Sequence, residues 1–77
     1  MTQNYRRAAS LYQDAAGKGN LYAEYHLGTL SDRGLGVAKD ESLALKWMTK
    51  ATEGGDHDAR DWFRDRAKAL AQSENTL

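Results

Sequence analysis

The stretch Gly28–Trp47, GTLSDRGLGVAKDESLALKW, decides the fold. Two glycines, Gly34 and Gly36, lie in its middle, and Asp40 follows them. Glycine readily adopts the left-handed conformation that ends many helices, and aspartate is a favourable N-cap residue. The stretch therefore predicts that one helix ends near Arg33, that a short glycine-shaped loop follows, and that an antiparallel helix begins after Asp40.

The flanking residues show the same alternation of helical segments and helix-ending glycines. Gly17–Gly19 and Gly54–Gly55 separate the segments, and Asn20 and Asp56 are suited to cap the helices that follow. Proline and isoleucine are absent and valine occurs once, which leaves few good strand positions. We therefore predict one all-α domain over 1–72, followed by a frayed tail at 73–77. Its four antiparallel helices are expected at about 2–16, 21–33, 41–53 and 57–71.

Each helix is predicted to bury one apolar stripe, because apolar residues recur at three- and four-residue steps. The residues expected to face inward are Tyr5, Ala8, Leu11, Tyr12 and Ala15 in the first helix, Ala23, Leu27 and Leu30 in the second, Ala44, Trp47, Met48 and Ala51 in the third, and Ala59, Trp62, Phe63, Ala67 and Leu70 in the fourth.

The chain also repeats itself after 36 residues. The shift pairs small residues with small ones, large apolar residues with large ones, and caps with caps: Ala8 with Ala44, Leu11 with Trp47, Ala15 with Ala51, Gly19 with Gly55, Asn20 with Asp56, and Leu27 with Phe63. Self-similarity at such a period is typical of stacked helix pairs. Small residues have a mechanical role in such pairs, because they let two helix axes approach to about 8 Å.

The central segment combines small residues and glycines with a few apolar and charged residues at characteristic positions. These are Ala23, Leu27, Gly28, Gly34, Gly36, Val37, Asp40, Ala44, Trp47, Lys50, Ala51 and Gly55. This pattern resembles the repeat unit of the Sel-one-like repeat family, a subgroup of the tetratricopeptide-like α-solenoids. The resemblance implies a short α-solenoid of about two helix-hairpin repeats. The sequence departs from the family at Ser31, Met48 and Thr52. Arg64 stands where the next unit would have its small glycine, so the fourth helix is expected to act as a terminal cap.

The resemblance also implies where a partner would bind, because the first helix of each tetratricopeptide-like unit lines the concave face. The positions that match this face, called the groove residues below, are Tyr22, Tyr25, Thr29, Asp32 and Arg33 on the second helix and Asp58, Asp61, Asp65 and Lys68 on the fourth. Tyrosines supply contact area at low entropic cost, and the aspartates suit a basic or amphipathic segment. The alternative is that these are ordinary solvated side chains.

Composition narrows the classes of partner. Eleven basic and eleven acidic residues balance, so the chain lacks the positive charge that binding to nucleic acid or to an anionic membrane requires. No apolar run approaches the ~20 residues that span a bilayer, and no secretory signal is visible. There is no cysteine, which fits a cytoplasmic location. A symmetric homodimer through the first helix is a further expectation, because that helix carries apolar residues outside one narrow stripe: Ala9, Leu11 and Ala16 beside Tyr5, Ala8 and Tyr12.

Catalytic and metal-binding patterns are weak. The segment GDHDARDWFRD places His57 and Asp61 four residues apart, which permits a metal or acid–base site. A helix cap at Asp56 with a dipole-stabilising carboxylate at Asp58 explains the same residues more simply. His26 is interpreted as a partly exposed helix residue, and GLGVAKD lacks the Gly-Lys-Ser/Thr of a phosphate-binding loop.

The sequence thus predicts a protein without enzymatic activity and without a cofactor or metal, which binds a protein partner through its concave helix face. The alternative function is a small inhibitor or immunity-type protein that blocks a toxin or a nuclease complex.

Overall fold

The computed structural model describes the backbone of residues 2–75 and the side chains of residues 4–72. It contains four helices: α1 (Thr2–Gly17), α2 (Leu21–Arg33), α3 (Glu41–Glu53) and α4 (His57–Asn75). α2 packs between α1 and α3, and α4 packs on α3. Consecutive helices therefore form hairpins, and the predicted all-α fold, a short α-solenoid, is confirmed.

Asn20, Asp40 and Asp56 each cap the helix that follows. Their side-chain oxygens accept hydrogen bonds from the main-chain N–H three residues later, at 2.9, 3.0 and 3.1 Å respectively. Gly34 has the left-handed φ of 70°, and its N–H donates to the carbonyl of Leu30. The predicted caps and the predicted glycine stop after α2 are confirmed.

Replacing Asp40 with alanine is expected to lower the free energy of unfolding by about 1 kcal/mol, because the first turn of α3 loses its side-chain acceptor. Urea unfolding followed by circular dichroism measures the change. Ser42→Ala, at an exposed position in the same turn, is the control and should alter stability by less than about 0.5 kcal/mol. If both variants were equally stable, the cap would contribute nothing.

Two buried clusters form the core. The first consists of Ala16, Ala23 and Leu27, against which Tyr12, Ala15 and Trp47 pack. The second consists of Met48, Ala51 and Ala59, against which Tyr25, Trp62 and Phe63 pack. The predicted inward stripes of α2 and α3 are confirmed, with Trp47 half-buried. Gly28 has a packing role here, since a Cβ built on it would lie 2.8 Å from the Cε atom of Met48.

The inward stripe predicted for α1 is wrong at two positions. Leu11 is 64% exposed and Tyr5 is 42% exposed, whereas Ala9 and Ala16 are buried. At 3.6 residues per turn, Leu11 points about 140° away from Ala16, which faces α2. Ala9 and Ala16 are therefore also unavailable to the homodimer surface for which the sequence proposed them.

The stripe predicted for α4 is wrong in its second half, where Ala67 is exposed and Leu70 is 61% exposed. Arg66 lies beside Glu41, the first residue of α3, so α4 passes the end of its neighbour at this point. The helix continues to Asn75 instead of ending near residue 71. The predicted tail is accordingly helical up to that residue, and residues 76–77 lie outside the described part.

The loop between α2 and α3 packs closely on α1. Gly36 has a φ of 74°, and a Cβ built on it would overlap the main-chain carbonyl of Tyr5 and lie 2.7 Å from the nitrogen of Arg6. Val37 beside it is half-buried. The second glycine of the loop is thus required by close backbone contact as well as by its conformation.

Candidate partner-binding surface

Four aromatic side chains from α1 and α2 contact one another. We call Tyr12, Tyr22, Tyr25 and His26 the aromatic cluster. The ring of His26 stacks on that of Tyr12, with centroids 4.9 Å apart and planes 10° apart. Tyr22 and Tyr25 each meet His26 edge to face, at 4.2 and 5.3 Å. Offset stacking and edge-to-face contacts are the favoured geometries of such rings, so they hold one another in place.

Exposure within the aromatic cluster is uneven. Tyr22 is 61% exposed, whereas Tyr12, Tyr25 and His26 are half-buried. The ring of Tyr22 is therefore presented to solvent on a base of packed aromatics. An anchor that is ordered before binding loses little conformational entropy when a partner covers it.

The turn at Lys18–Gly19 explains why α1 and α2 contribute to one cluster. Tyr12 and His26 lie at nearly equal distances before and after this turn, so an antiparallel hairpin brings them side by side. The sequence prediction included Tyr22 and Tyr25 among the groove residues but missed Tyr12 and His26. Their nearly equal spacing from the turn is the sequence signal that could have identified them as neighbours.

Tyr25 connects the aromatic cluster to α4. Its ring packs on the same buried residues, Met48, Ala51 and Ala59, as Trp62 and Phe63. The next groove residue on α2, Thr29, donates its hydroxyl proton to the main-chain carbonyl of Tyr25 at 3.2 Å. Part of the Tyr25 ring is therefore used inside the protein, and the hydroxyl of Thr29 already has a partner.

Asp32 is also engaged within the chain. One of its oxygens, Oδ1, lies 3.5 Å from Nη1 of Arg66, whose Nη2 lies 3.8 Å from Oε1 of Glu41. The guanidinium carbon of Arg66 is 5.2 Å from the ring centroid of Trp62. The network connects α2, α3 and α4, and its partly exposed pairs contribute roughly 0–1 kcal/mol each. Asp32 thus holds helices together and is less free for a partner than the sequence implied.

The groove residues of α4 are mostly solvent-facing. Asp58, Asp65 and Lys68 are exposed, and Asp61 is half-buried with its Oδ1 3.2 Å from Nη2 of Arg64. Arg33, at the end of α2, is exposed as well. The nine groove residues therefore divide by their surroundings. Tyr22 and Tyr25 belong to the aromatic cluster, and Tyr25 also packs towards α4. Thr29 and Asp32 bond within the chain, Arg33 is exposed at the end of α2, and the remaining four form a mainly acidic surface along α4.

The histidine-containing segment at the start of α4 has a structural arrangement. Oδ1 of Asp56 accepts hydrogen bonds from the main-chain N–H groups of Asp58 and Ala59 at 2.8 and 3.1 Å. Nδ1 of the exposed His57 lies 3.2 Å from Nη2 of Arg60. Within the described residues, no three histidine, aspartate or glutamate side chains gather as metal ligands would. The capping interpretation of Asp56 is confirmed.

One buried carboxyl group was not anticipated. Glu24 on α2 is only 6% exposed, and its Oε1 atom has no hydrogen-bond partner among the described atoms. Burial of a polar atom without a partner costs free energy. Glu24 therefore destabilises the core locally. Its position in the sequence, beside Ala23 at the edge of the apolar stripe, did not predict that it is buried.

Comparison with known proteins agrees with this architecture. The Sel1 repeat family matches residues 1–20 and 21–56, which correspond to α1 with its turn and to the α2–α3 hairpin up to the cap of α4. The ERAD-associated E3 ubiquitin-protein ligase component HRD3 of Candida glabrata is 35% identical over 68 residues. The matched segment is 88% of this chain but 8% of that protein. No solved structure gives a significant match.

Within residues 2–75, no helix combines the length with the apolar character that a bilayer crossing demands. Sel1 repeats generally mediate protein–protein interactions. The family match covers one full helix hairpin and the helix before it, and the structure shows the caps and close-packed small residues of that hairpin in place. This chain belongs to the Sel1 repeat family.

Proposed function

We propose that this chain is a non-enzymatic module that binds a segment of a partner protein on the face formed by α2 and α4. One observation carries the proposal: Tyr22 is exposed on a base of packed aromatic rings, at a groove position of the repeat. Tyrosine is enriched among the residues that dominate binding energy at interfaces. The general role of Sel1 repeats supports the same conclusion.

The charges on this face favour a basic partner segment. Asp58 and Asp65 are exposed on α4, and Asp61 keeps about half of its side chain exposed. Tyr25 connects the aromatic cluster to this helix through the core. A segment that places an apolar or aromatic side chain on Tyr22 and basic side chains along α4 would satisfy both ends of the surface. The acidic residues would then set orientation and association rate more than affinity.

Panning a displayed random-peptide library on the immobilised full chain tests this proposal. We expect enrichment of peptides that combine an apolar residue with lysine or arginine. In calorimetric titrations of an enriched peptide, Tyr22→Ala should weaken binding about tenfold or more, which corresponds to about 1.4 kcal/mol. Because Tyr22 is largely exposed, the circular dichroism and unfolding of the variant should stay close to those of the parent.

Leu45→Ala is the matched control, since Leu45 is also an exposed apolar residue but lies on α3, outside the groove residues. Its affinity for the same peptide should equal that of the parent chain. Peptides that bind the Tyr22 variant as tightly as the parent would contradict the proposal, as would failure to enrich any peptide. If an affinity pull-down with the full chain instead recovered one enzyme that loses activity on binding, the inhibitor function would be favoured.

A further inference from the structure

The outer side of α1 carries an uncovered apolar position. Leu11 is 64% exposed, with half-buried alanines, Ala8 and Ala15, about one turn before and after it. Beside it lies an open surface cavity of about 430 Å³, lined by Leu11, Asp14, Ala15, Lys18, Gly19 and Asn20. A single exposed leucine is ordinary, so the surrounding residues must indicate whether this one has a partner.

The internal repeat gives the first indication. Leu11 corresponds to Trp47 after the shift of 36 residues, and Trp47 packs against a cluster that includes Ala16 of α1. The same position in the next unit is thus a contact between helices. Leu11 occupies that position without a covering helix among the described residues.

We propose that a second copy of this chain covers Leu11, in a symmetric dimer whose two α1 helices are antiparallel and cross at this residue. In such a pair, a residue that precedes Leu11 in one copy lies beside a residue that follows Leu11 in the other. Arg7 precedes Leu11 by four residues and Asp14 follows it by three, so Arg7 lies next to Asp14 of the partner subunit. Two equivalent ion pairs form, because a two-fold interface repeats every contact.

The flanks of the helix fit the same arrangement. Arg7 and Asp14 are seven residues, or about two turns, apart, so they lie on one side of Leu11. Ala8 and Ala15 are also seven apart and lie on its other side, where small side chains permit close approach of the helices. A parallel two-fold pair would instead place Arg7 beside Ala8 of the partner subunit and Asp14 beside Ala15 of the partner subunit, and would form neither ion pair. The charges therefore select the antiparallel dimer.

Sedimentation equilibrium of the full chain over a range of concentrations provides the first test. We expect a monomer–dimer equilibrium that Leu11→Asp shifts to monomer, while the far-ultraviolet circular dichroism stays that of the folded chain. Leu70→Asp is the control, because Leu70 is exposed to a similar degree, 61%, on α4. A parent chain that stays monomeric at the highest concentrations would overturn the proposal, as would a dimer that only Leu70→Asp dissociates.

Charge reversal tests the orientation. Arg7→Asp and Asp14→Arg should each raise the dimer dissociation constant about tenfold, since each places like charges side by side. The double variant restores both ion pairs in reverse and should recover most of the parent affinity. Both side chains are exposed in one copy, so neither change should affect folding. A double variant no tighter than the single ones would rule out the antiparallel arrangement.

Disulfide trapping tests the crossing point, because the chain has no cysteine of its own. Leu11→Cys should form a covalent dimer on mild oxidation, as Cα atoms at a close helix crossing fall within the roughly 4.4–6.8 Å that a disulfide spans. Leu70→Cys should not. Absence of the Leu11→Cys dimer under conditions where the parent is dimeric would exclude this interface. The proposed partner binding is tested by Tyr22→Ala, whereas the dimer is tested by substitutions on α1. Either proposal can therefore fail while the other holds.

Discussion

Gly36→Ala is expected to leave the protein largely unfolded at room temperature. Gly36 has a φ of 74°, and the added Cβ would overlap the carbonyl group of Tyr5 and approach the nitrogen of Arg6 to 2.7 Å. The left-handed conformation alone costs alanine about 1–2 kcal/mol. The obstacles are backbone atoms of α1 and cannot move without displacing that helix from the loop. We expect a total loss of about 3 kcal/mol or more, against the roughly 3–5 kcal/mol that a single core of this size supplies.

Gly55→Ala separates conformational strain from contact. Gly55 also has a positive φ, 100°, but a Cβ built on it meets nothing within 4 Å. This variant should therefore lose only the strain of about 1–2 kcal/mol. Thermal and urea unfolding followed by circular dichroism give both values. Equal losses in the two variants would mean that the loop does not depend on its contact with α1.

Local features of the fold were predictable from the sequence because a few neighbouring residues determine them. The three caps need only a short polar side chain before a helix, and the end of α2 needs only Gly34. The buried stripes of α2 and α3 were also predictable. Each of these helices has packed neighbours on two sides, so most of its apolar residues are covered wherever they lie on the stripe.

The end helices were harder because each has fewer neighbours. The first helix has apolar residues around much of its circumference, and periodicity alone did not decide that Ala9 and Ala16, not Leu11, face α2. In α4 the apolar pattern continues through Leu70. However, α3 covers α4 only as far as Arg66, which lies beside the first residue of α3. Which part of an amphipathic helix is buried depends on the length of the neighbouring helix. The spacing of apolar residues in the helix itself does not predict that length.

In the candidate site, too, local features were predictable from the sequence, whereas contacts between helices were not. Exposure of Tyr22 followed from its repeat position. The engagement of Asp32 with Arg66 did not, because it joins residues on different helices that are far apart in the sequence. The interpretation of His26 as a partly exposed helix residue is confirmed, since it is half-buried on α2. Its stacking on Tyr12 was not predicted, because the two rings come from different helices of the hairpin about Lys18–Gly19.

Met48→Ala is expected to be the most damaging truncation in the core. Met48 is fully buried, and it is the largest member of the cluster against which the half-buried Tyr25, Trp62 and Phe63 pack. Removing a buried methionine side chain costs about 2–5 kcal/mol through lost burial and the cavity left behind. Leu45→Ala, on the same helix with 38% of its surface exposed, should cost much less. An osmolyte such as trimethylamine N-oxide strengthens effective burial and keeps the folded baseline measurable.

Gly28→Ala then tests whether Gly28 and Met48 are fitted to each other. In the parent chain the new methyl group would lie 2.8 Å from Cε of Met48, and such overpacking costs about 1–3 kcal/mol. Alanine also gains about 1 kcal/mol over glycine inside a helix. In the Met48→Ala background the obstacle is gone and part of the cavity is filled. Gly28→Ala should therefore lower the stability of the parent and raise that of Met48→Ala, with a coupling energy of at least about 1 kcal/mol. If it changed both by the same amount, the closeness of α2 and α3 would not depend on this pair.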